Sequence, residues 1–187
     1  MVFYRRRLPH WQPSAKPLFL TWHLHGSLPH QRFPPPGALS AGQAFVWMDR
    51  YLDAARCGPT WLAREAIASI FVDAIRYAAD TLHHYDLHAY VVMANHVHLL
   101  VQPHVAPSKL LQSVKGFSAR EANKLLDRTG EPFWQTESYD HWVRDQTEFE
   151  RVRRYIVKNP VRAGLAAKPE EYRWSSAYAG TNAVAAG

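Results

Sequence analysis

Two apolar runs, "YDLHAYVVM" at 85–93 and "HVHLLVQP" at 96–103, are separated only by Ala94 and Asn95. A two-residue connection between extended segments suits a tight hairpin, which fixes an antiparallel pair and, through alternation, decides which side chains share a face. In the second run His96 and His98 point one way, while Val97, Leu99 and Val101 point the other. The apolar set needs a cover of helices, which leaves two imidazoles together on the opposite face with room for a divalent ion between them. Hydrogen-bonded or strand-surface histidines are the alternative reading. "WHLHG" at 22–26 presents His23 and His25 at the same spacing, so spacing alone does not choose between the pairs.

The rest of the chain predicts how that hairpin is framed. "PLFLTWHLHG" (17–26) alternates and ends at a glycine, as a first strand does. "LSAGQAFVWMDRYLDAARCG" repeats apolar residues at Phe45, Met48, Tyr51, Leu52 and Ala55 before Gly58, a helical spacing with a glycine stop. A stronger helix at 61–80 sets Ile67, Ile70, Phe71, Ala74 and Ile75 on one side. After Pro107, "SKLLQSVKGFSAREANKLLD" is amphipathic despite Gly116, "FWQTESYDHWVRD" reads as a loop entering a short strand, and "QTEFERVRRYIVKN" as a final helix ended by Pro160. The order βαββαβα, with one extra helix early, predicts an α+β fold: a ferredoxin-like split βαβ with an antiparallel sheet, helices on one face and the other free for a ligand. The expected organisation is a basic arm at 1–16, one domain at 17–178 carrying a helical insertion at 27–60, and a flexible tail at 179–187.

Composition narrows the partner. Cys57 is the single cysteine, so an internal disulfide and a thiolate metal cluster are both excluded, which suits a reducing cytoplasm. No run approaches the roughly 18 apolar residues of a membrane helix. The net charge of +6 is concentrated at the ends: residues 1–16 carry Arg5, Arg6, Arg7 and Lys16 without an acid, and 150–173 carry seven basic and three acidic residues. Local positive charge beside seven tryptophans and nine tyrosines suits single-stranded nucleic acid, whose unpaired bases stack on aromatic faces; solubility charge is the plainer explanation.

The final helix supplies candidates for chemistry. Phe149, Val152 and Ile156 form its apolar stripe, and Tyr155 borders it with Arg151, Lys158 and Asn159 as neighbours three and four residues away. Tyr155 and Asn159 lie one turn apart on the same side, so an amide oxygen from Asn159 could complete a two-histidine metal site with the phenol close by. A core tyrosine and an Asn-Pro cap before the turn "PVRAG" account for the same residues without chemistry.

Taken together, "VVMANHVHLLV", "FWQTESYDHWVRD", "YIVKNPVRAGL" and "EYRWSS", with "FLTWHLHGSLP" near the start, resemble the REP-associated tyrosine transposases, a branch of the single-tyrosine HUH transposase superfamily. The resemblance spans roughly residues 17–178. It implies that His96 and His98 are the HUH pair around Val97, that Tyr155 is the nucleophile, and that Asn159 completes a site for Mg²⁺ or Mn²⁺ on the sheet. It further implies a transposase-like enzyme, monomer or homodimer, cytoplasmic and nucleoid-associated. Such an enzyme cleaves and rejoins single-stranded and hairpin (REP-like) DNA through a 5′-phosphotyrosine. His23 and His25 are not ligands under it, and Tyr139, the rival nucleophile, lacks an amide partner four residues on. Ala94 departs from the proline frequent in the family hairpin. Composition adds Arg151, Arg154, Lys158 and Arg162 as DNA-backbone contacts and Trp22 and Trp134 as stacking platforms. The competing readings are a non-catalytic single-stranded nucleic-acid-binding module of the same fold and a metal-dependent hydrolase using water.

Overall fold

The computed structural model describes residues 16–28, 39–55 and 57–181. In chain order these form β1 (Leu18–His23), α1 (Ala41–Asp53), α2 (Glu65–Asp80), β2 (Tyr85–Val92), β3 (His96–Pro103), α3 (Pro107–Leu125), β4 (Tyr139–Trp142) and α4 (Gln146–Arg162). The sheet runs β2-β3-β1-β4 with every neighbour antiparallel. β3 therefore lies between β1 and β2, and β1 between β3 and β4, which is the double split βαβ expected. The hairpin closes at Ala94-Asn95, where the Met93 amide donates to the His96 carbonyl at 2.8 Å.

Alternation sorts the strands as the sequence requires. Leu18, Leu20 and Trp22 of β1 and Val97, Leu99 and Val101 of β3 pack against Ile67, Phe71 and Ile75 of α2 and Leu110 and Val114 of α3. Burying each such side chain contributes about 1.5–3 kcal/mol, so this layer fixes the register of β3 and hence the face of its histidines. The opposite face, expected to lie free, is instead covered: Phe19, Ala89, Val91 and Leu100 pack against Phe45 of α1 and Ile156 of α4. Both helices carry an apolar stripe that has to be buried, and the second sheet face is where it goes. Helices thus flank the sheet on both sides, and the histidines sit under α1 and α4 rather than in the open.

Three boundaries differ from the periodicity. α1 starts at a capping box made by Ser40 and Gln43 and ends at Asp53, ahead of Gly58. Rather than stopping the helix, Gly58 permits a close backbone approach. A Cβ there would fall 2.3 Å from the Gly26 carbonyl oxygen and 2.7 Å from the Ser27 Cα, so glycine lets the chain after α1 lie directly on the turn after β1. α2 begins at Glu65 because Trp61–Ala63 forms a separate 3₁₀ turn. α4 continues through Pro160 to Arg162. A proline costs a helix one backbone donor, and only two residues remain after it, so the loss is confined to the last turn. The segment "EYRWSS" closes the β2 edge: Val92 N donates to the Trp174 carbonyl (2.8 Å), Ser176 N to that of Tyr90 (3.0 Å), and Tyr172 Oη to that of Val92 (2.9 Å). An exposed edge strand is thereby paired. The expected basic arm, apart from Lys16, and most of the expected flexible tail lie outside the described residues. No helix among the described residues is long and apolar enough to cross a membrane.

Candidate metal and nucleophile site

His96 and His98 are wholly buried, with ring centroids 4.8 Å apart. Each is held from behind by its Nδ1. Asn95 Oδ1 lies 2.7 Å from His96 Nδ1, and Thr21 Oγ1, across the strand pair, lies 2.7 Å from His98 Nδ1. The Asn95 amide also donates to the Leu52 carbonyl at 3.1 Å, tying the hairpin turn to α1. A His96 Nδ1–H donated to Asn95 leaves a lone pair on Nε2, the arrangement that a metal-binding imidazole needs. Burial, followed by the neighbouring His98, pushes the His96 pKa down to about 3, so the ring is neutral near pH 7.

Facing both rings is a residue that the sequence pattern did not single out. Asp49 of α1 is 1% exposed, with Oδ1 3.0 Å from His98 Nε2 and 3.8 Å from His96 Nε2. One turn further, Asp53 Oδ1 is 3.6 Å from His96 Nε2. Ligand atoms of Asp49, His96 and His98 all lie within 4.8 Å of one another, a spacing that one divalent ion can span. Burial opposes the charge on Asp49, yet His98 and His96 facing it and the bond from Tyr155 hold its carboxyl well below the usual carboxylate range. Asp53 moves the other way, raised by burial and by the charge of Asp49.

α4 brings the remaining parts. The Tyr155 hydroxyl donates to Asp49 Oδ2, and its ring centroid is 5.7 Å from that of His98. Burial and the Asp49 charge raise the phenol well above its ordinary pKa. Asn159, one turn on and wholly buried, sets Nδ2 3.0 Å from His98 Nε2. Arg162 closes the group, its Nη2 3.0 Å from Asp49 Oδ2 and 2.8 Å from Asp53 Oδ2. Asp49 Oδ1, Asp53 Oδ1, His96 Nε2 and Asn159 Oδ1 are all buried without a hydrogen-bond partner among the described residues. Leaving such atoms unsatisfied costs about 1–3 kcal/mol each, and a cation held by Asp49, His96 and His98 would offset part of that cost. The donor set of imidazole nitrogens and carboxylate oxygens fits a divalent ion. Between α1 and α4 a cavity of about 620 Å³, lined by Asp49, Arg50, Asp53, Tyr155 and Arg162, gives access from solvent.

The structure therefore gathers His96, His98, Tyr155, Asn159 and Arg162 at one place. It separates others. Trp22 is fully buried and Trp134 is 8% exposed, their rings edge to face at 6.1 Å in the α2/α3 core. Their expected role as stacking platforms is corrected, because a base cannot reach a ring enclosed on all sides. Arg151 is engaged by Glu148 at 2.8 Å, whereas Arg154 and Lys158 are exposed on the outer side of α4. Tyr139 stacks on Phe45 at 4.5 Å, in the wall of the site. Asp49 and Asp53 lie inside what the sequence pattern presents as an inserted helix. The signal was there: Asp49 stands four residues after Phe45 and three before Leu52, an acid within an apolar stripe.

Residues 61–159 match the model of a family described as "Transposase IS200 like". Among solved structures, a REP-associated tyrosine transposase bound to a REP hairpin aligns with 94% of this chain and 82% of its own, at 16% identity and a TM-score of 0.59, a likeness of fold. A candidate transposase from Deinococcus radiodurans R1 aligns over 85% of this chain and 98% of its own, at 17% identity and a TM-score of 0.43. Among curated protein sequences none matches the chain.

Proposed function

The chain belongs to the IS200-like transposase family, and on that premise we propose that it is a single-tyrosine DNA strand transferase whose nucleophile is Tyr155. The observation that carries this reading is the convergence of a buried imidazole pair from β3, a carboxylate from α1 and a phenol from α4 on one point with four unpaired polar atoms. His96, His98 and Asp49 would hold the divalent cation, Mg²⁺ or Mn²⁺, with Asn159 beside His98 as the amide that the resemblance assigns to the same ion. Bound there, the cation supplies Lewis-acid polarisation of a phosphate and offsets the Asp49 charge that keeps the phenol protonated.

The chain's own residues do the rest. The Tyr155 oxygen attacks phosphorus, its proton passing to water in the cavity that Tyr155 lines. The bond from phosphorus to the 3′ oxygen breaks with its electron pair, and that oxygen takes a proton from water. A free 3′-hydroxyl and a 5′-phosphotyrosine result, so the phosphodiester energy is retained for rejoining. Asn95 and Thr21 keep both imidazoles oriented throughout. Single-stranded DNA beside a hairpin of REP type is the proposed substrate. Support comes from the basic helix α4 and the fold shared with the hairpin-bound structure.

The test incubates the protein with labelled hairpin DNA carrying a single-stranded flank and Mn²⁺, then resolves products under denaturing conditions. A protein-linked strand that Tyr155→Phe abolishes while hairpin binding persists is the expected result. A band shift without cleavage would identify a binding module, and cleavage without a linked strand a hydrolase.

A further inference from the structure

Sequence composition offers Arg162, together with Arg151, Arg154 and Lys158, as a DNA-backbone contact. The structure sets it apart. It lies two turns after Tyr155 on the same side of α4, and its Nη2 stands 3.4 Å from the Tyr155 oxygen as well as 3.0 Å from Asp49 Oδ2 and 2.8 Å from Asp53 Oδ2. The guanidinium carbon also sits 4.5 Å from the Tyr155 ring centroid. One group thus touches the attacking atom, its hydrogen-bond acceptor and the second acid of the site, while its side chain remains 43% exposed at the cavity. All three contacts run through Nη2, which leaves the Nε and Nη1 hydrogens for a further anionic oxygen.

We propose that Arg162 is a catalytic residue of the tyrosine transfer: it holds the Tyr155 oxygen against Asp49 and receives a non-bridging oxygen of the scissile phosphate on its remaining N–H groups. This rests on the transferase reading above. A planar fork is suited to bridging a phenol, two carboxylates and a phosphate together, which a lysine ammonium cannot do from one position. The charges also fit. Two carboxylates, one guanidinium and one divalent cation leave a single positive charge, the match for one phosphodiester. Arg162 itself stays protonated throughout, so it contributes by position and charge, and the contribution is largest where negative charge gathers on the phosphorus oxygens.

The experiment compares the unmodified chain with R162A, R162K and, as a charge-matched control on the outer side of α4, R153A. It measures the single-turnover rate of adduct formation at saturating hairpin DNA, hairpin affinity without metal, and Mn²⁺ affinity by calorimetry. R162A is expected to lower the rate about 100- to 1,000-fold and R162K to recover little of it. Added guanidinium ion should restore part of the R162A rate but none of that of Tyr155→Phe. R162A should also bind Mn²⁺ at least as tightly as the unmodified chain, because a competing cation has left Asp49 and Asp53; R153A should behave as unmodified. An R162A rate equal to wild type with only weaker hairpin binding would overturn the proposal in favour of a backbone contact. A loss shared by Mn²⁺ affinity and thermal stability, without guanidinium rescue, would overturn it in favour of a tether between α1 and α4. If the unmodified chain forms no adduct, the transferase reading fails first and takes the proposal with it, whereas an adduct formed equally fast by R162A removes the proposal alone.

Discussion

The chain contains two His-x-His pairs, at 23/25 and 96/98, and the fold treats them in opposite ways. β1 ends at His23, and the turn through Gly26 at φ +80° carries the exposed His25 off the sheet. His23 stays on the same sheet face as His96, its cross-strand partner, but its Nδ1 is bound to Ser27 Oγ at 2.9 Å and the Leu24 carbonyl at 3.1 Å. His96 and His98 remain within a strand, held at Nδ1 and faced at Nε2 by acids. Identical spacing therefore yields a metal-type pair only where the strand continues and a neighbouring helix brings a carboxylate. The support behind each ring and the acid in front of it set the candidate pair apart.

The sharpest way to break this contrast is to remove one imidazole from each pair. His96→Ala and His98→Ala should each weaken Mn²⁺ binding by at least ~100-fold and abolish DNA adduct formation, while His25→Ala leaves both unchanged; equal losses from the two pairs would end the distinction. Next in size is the carboxylate. Asp49→Asn should weaken Mn²⁺ about 30- to 100-fold by calorimetry, more than Asn159→Ala does, and the reverse order would make the amide oxygen the third ligand. The support behind the rings should count for less: Asn95→Ala and Thr21→Val are each expected to weaken Mn²⁺ about tenfold, with the adduct rate at saturating metal largely kept.

A further variant separates scaffold from site. Glu148, 5% exposed at the start of α4, is bonded by Arg144, Arg151 and His141. The hydrogen bond from the Arg144 side chain, with the Arg144 backbone amide and His141 adding to it, holds the Glu148 carboxyl well below its ordinary 4.5. A carboxylate whose pKa falls on folding stabilises the fold fully above its unfolded pKa, and that contribution is lost as pH drops through the folded one. Glu148→Gln should thus cost about 1–3 kcal/mol near pH 7, read by chemical denaturation, and the gap to wild type should shrink as the pH falls below about 4.5. Mn²⁺ affinity measured on the folded variant should not change.

How much of this was legible in the residues follows from range. The hairpin, the shared face of His96 and His98 and the burial of Val97, Leu99 and Val101 depend on period-two alternation within one strand, and all are as read. The one-turn relation of Tyr155 and Asn159 is likewise local. That the phenol meets the histidines at all depends on α4 crossing the sheet, and family resemblance supplied it where periodicity could not. The acid inside the apolar stripe of "AFVWMDRYLD" marks Asp49 as unusual, but its role needs α1 on the second sheet face, a placement that the stripe does not declare. Trp22 and Trp134 were misplaced for a related reason. Aromatic side chains serve cores and nucleic-acid platforms alike, and only the packing of α2 and α3 tells which.

If the site is as proposed, the imidazoles of β3, and not those of β1, meet a cation beside Tyr155. Pulsed electron paramagnetic resonance on the Mn²⁺-loaded chain reads coordinated histidine nitrogen directly. Two such couplings are expected, one lost in His96→Ala, the other in His98→Ala, and both retained in His23→Gln and in Tyr155→Phe. Nitrogen couplings that survive both β3 substitutions, or that vanish with His23, would contradict it.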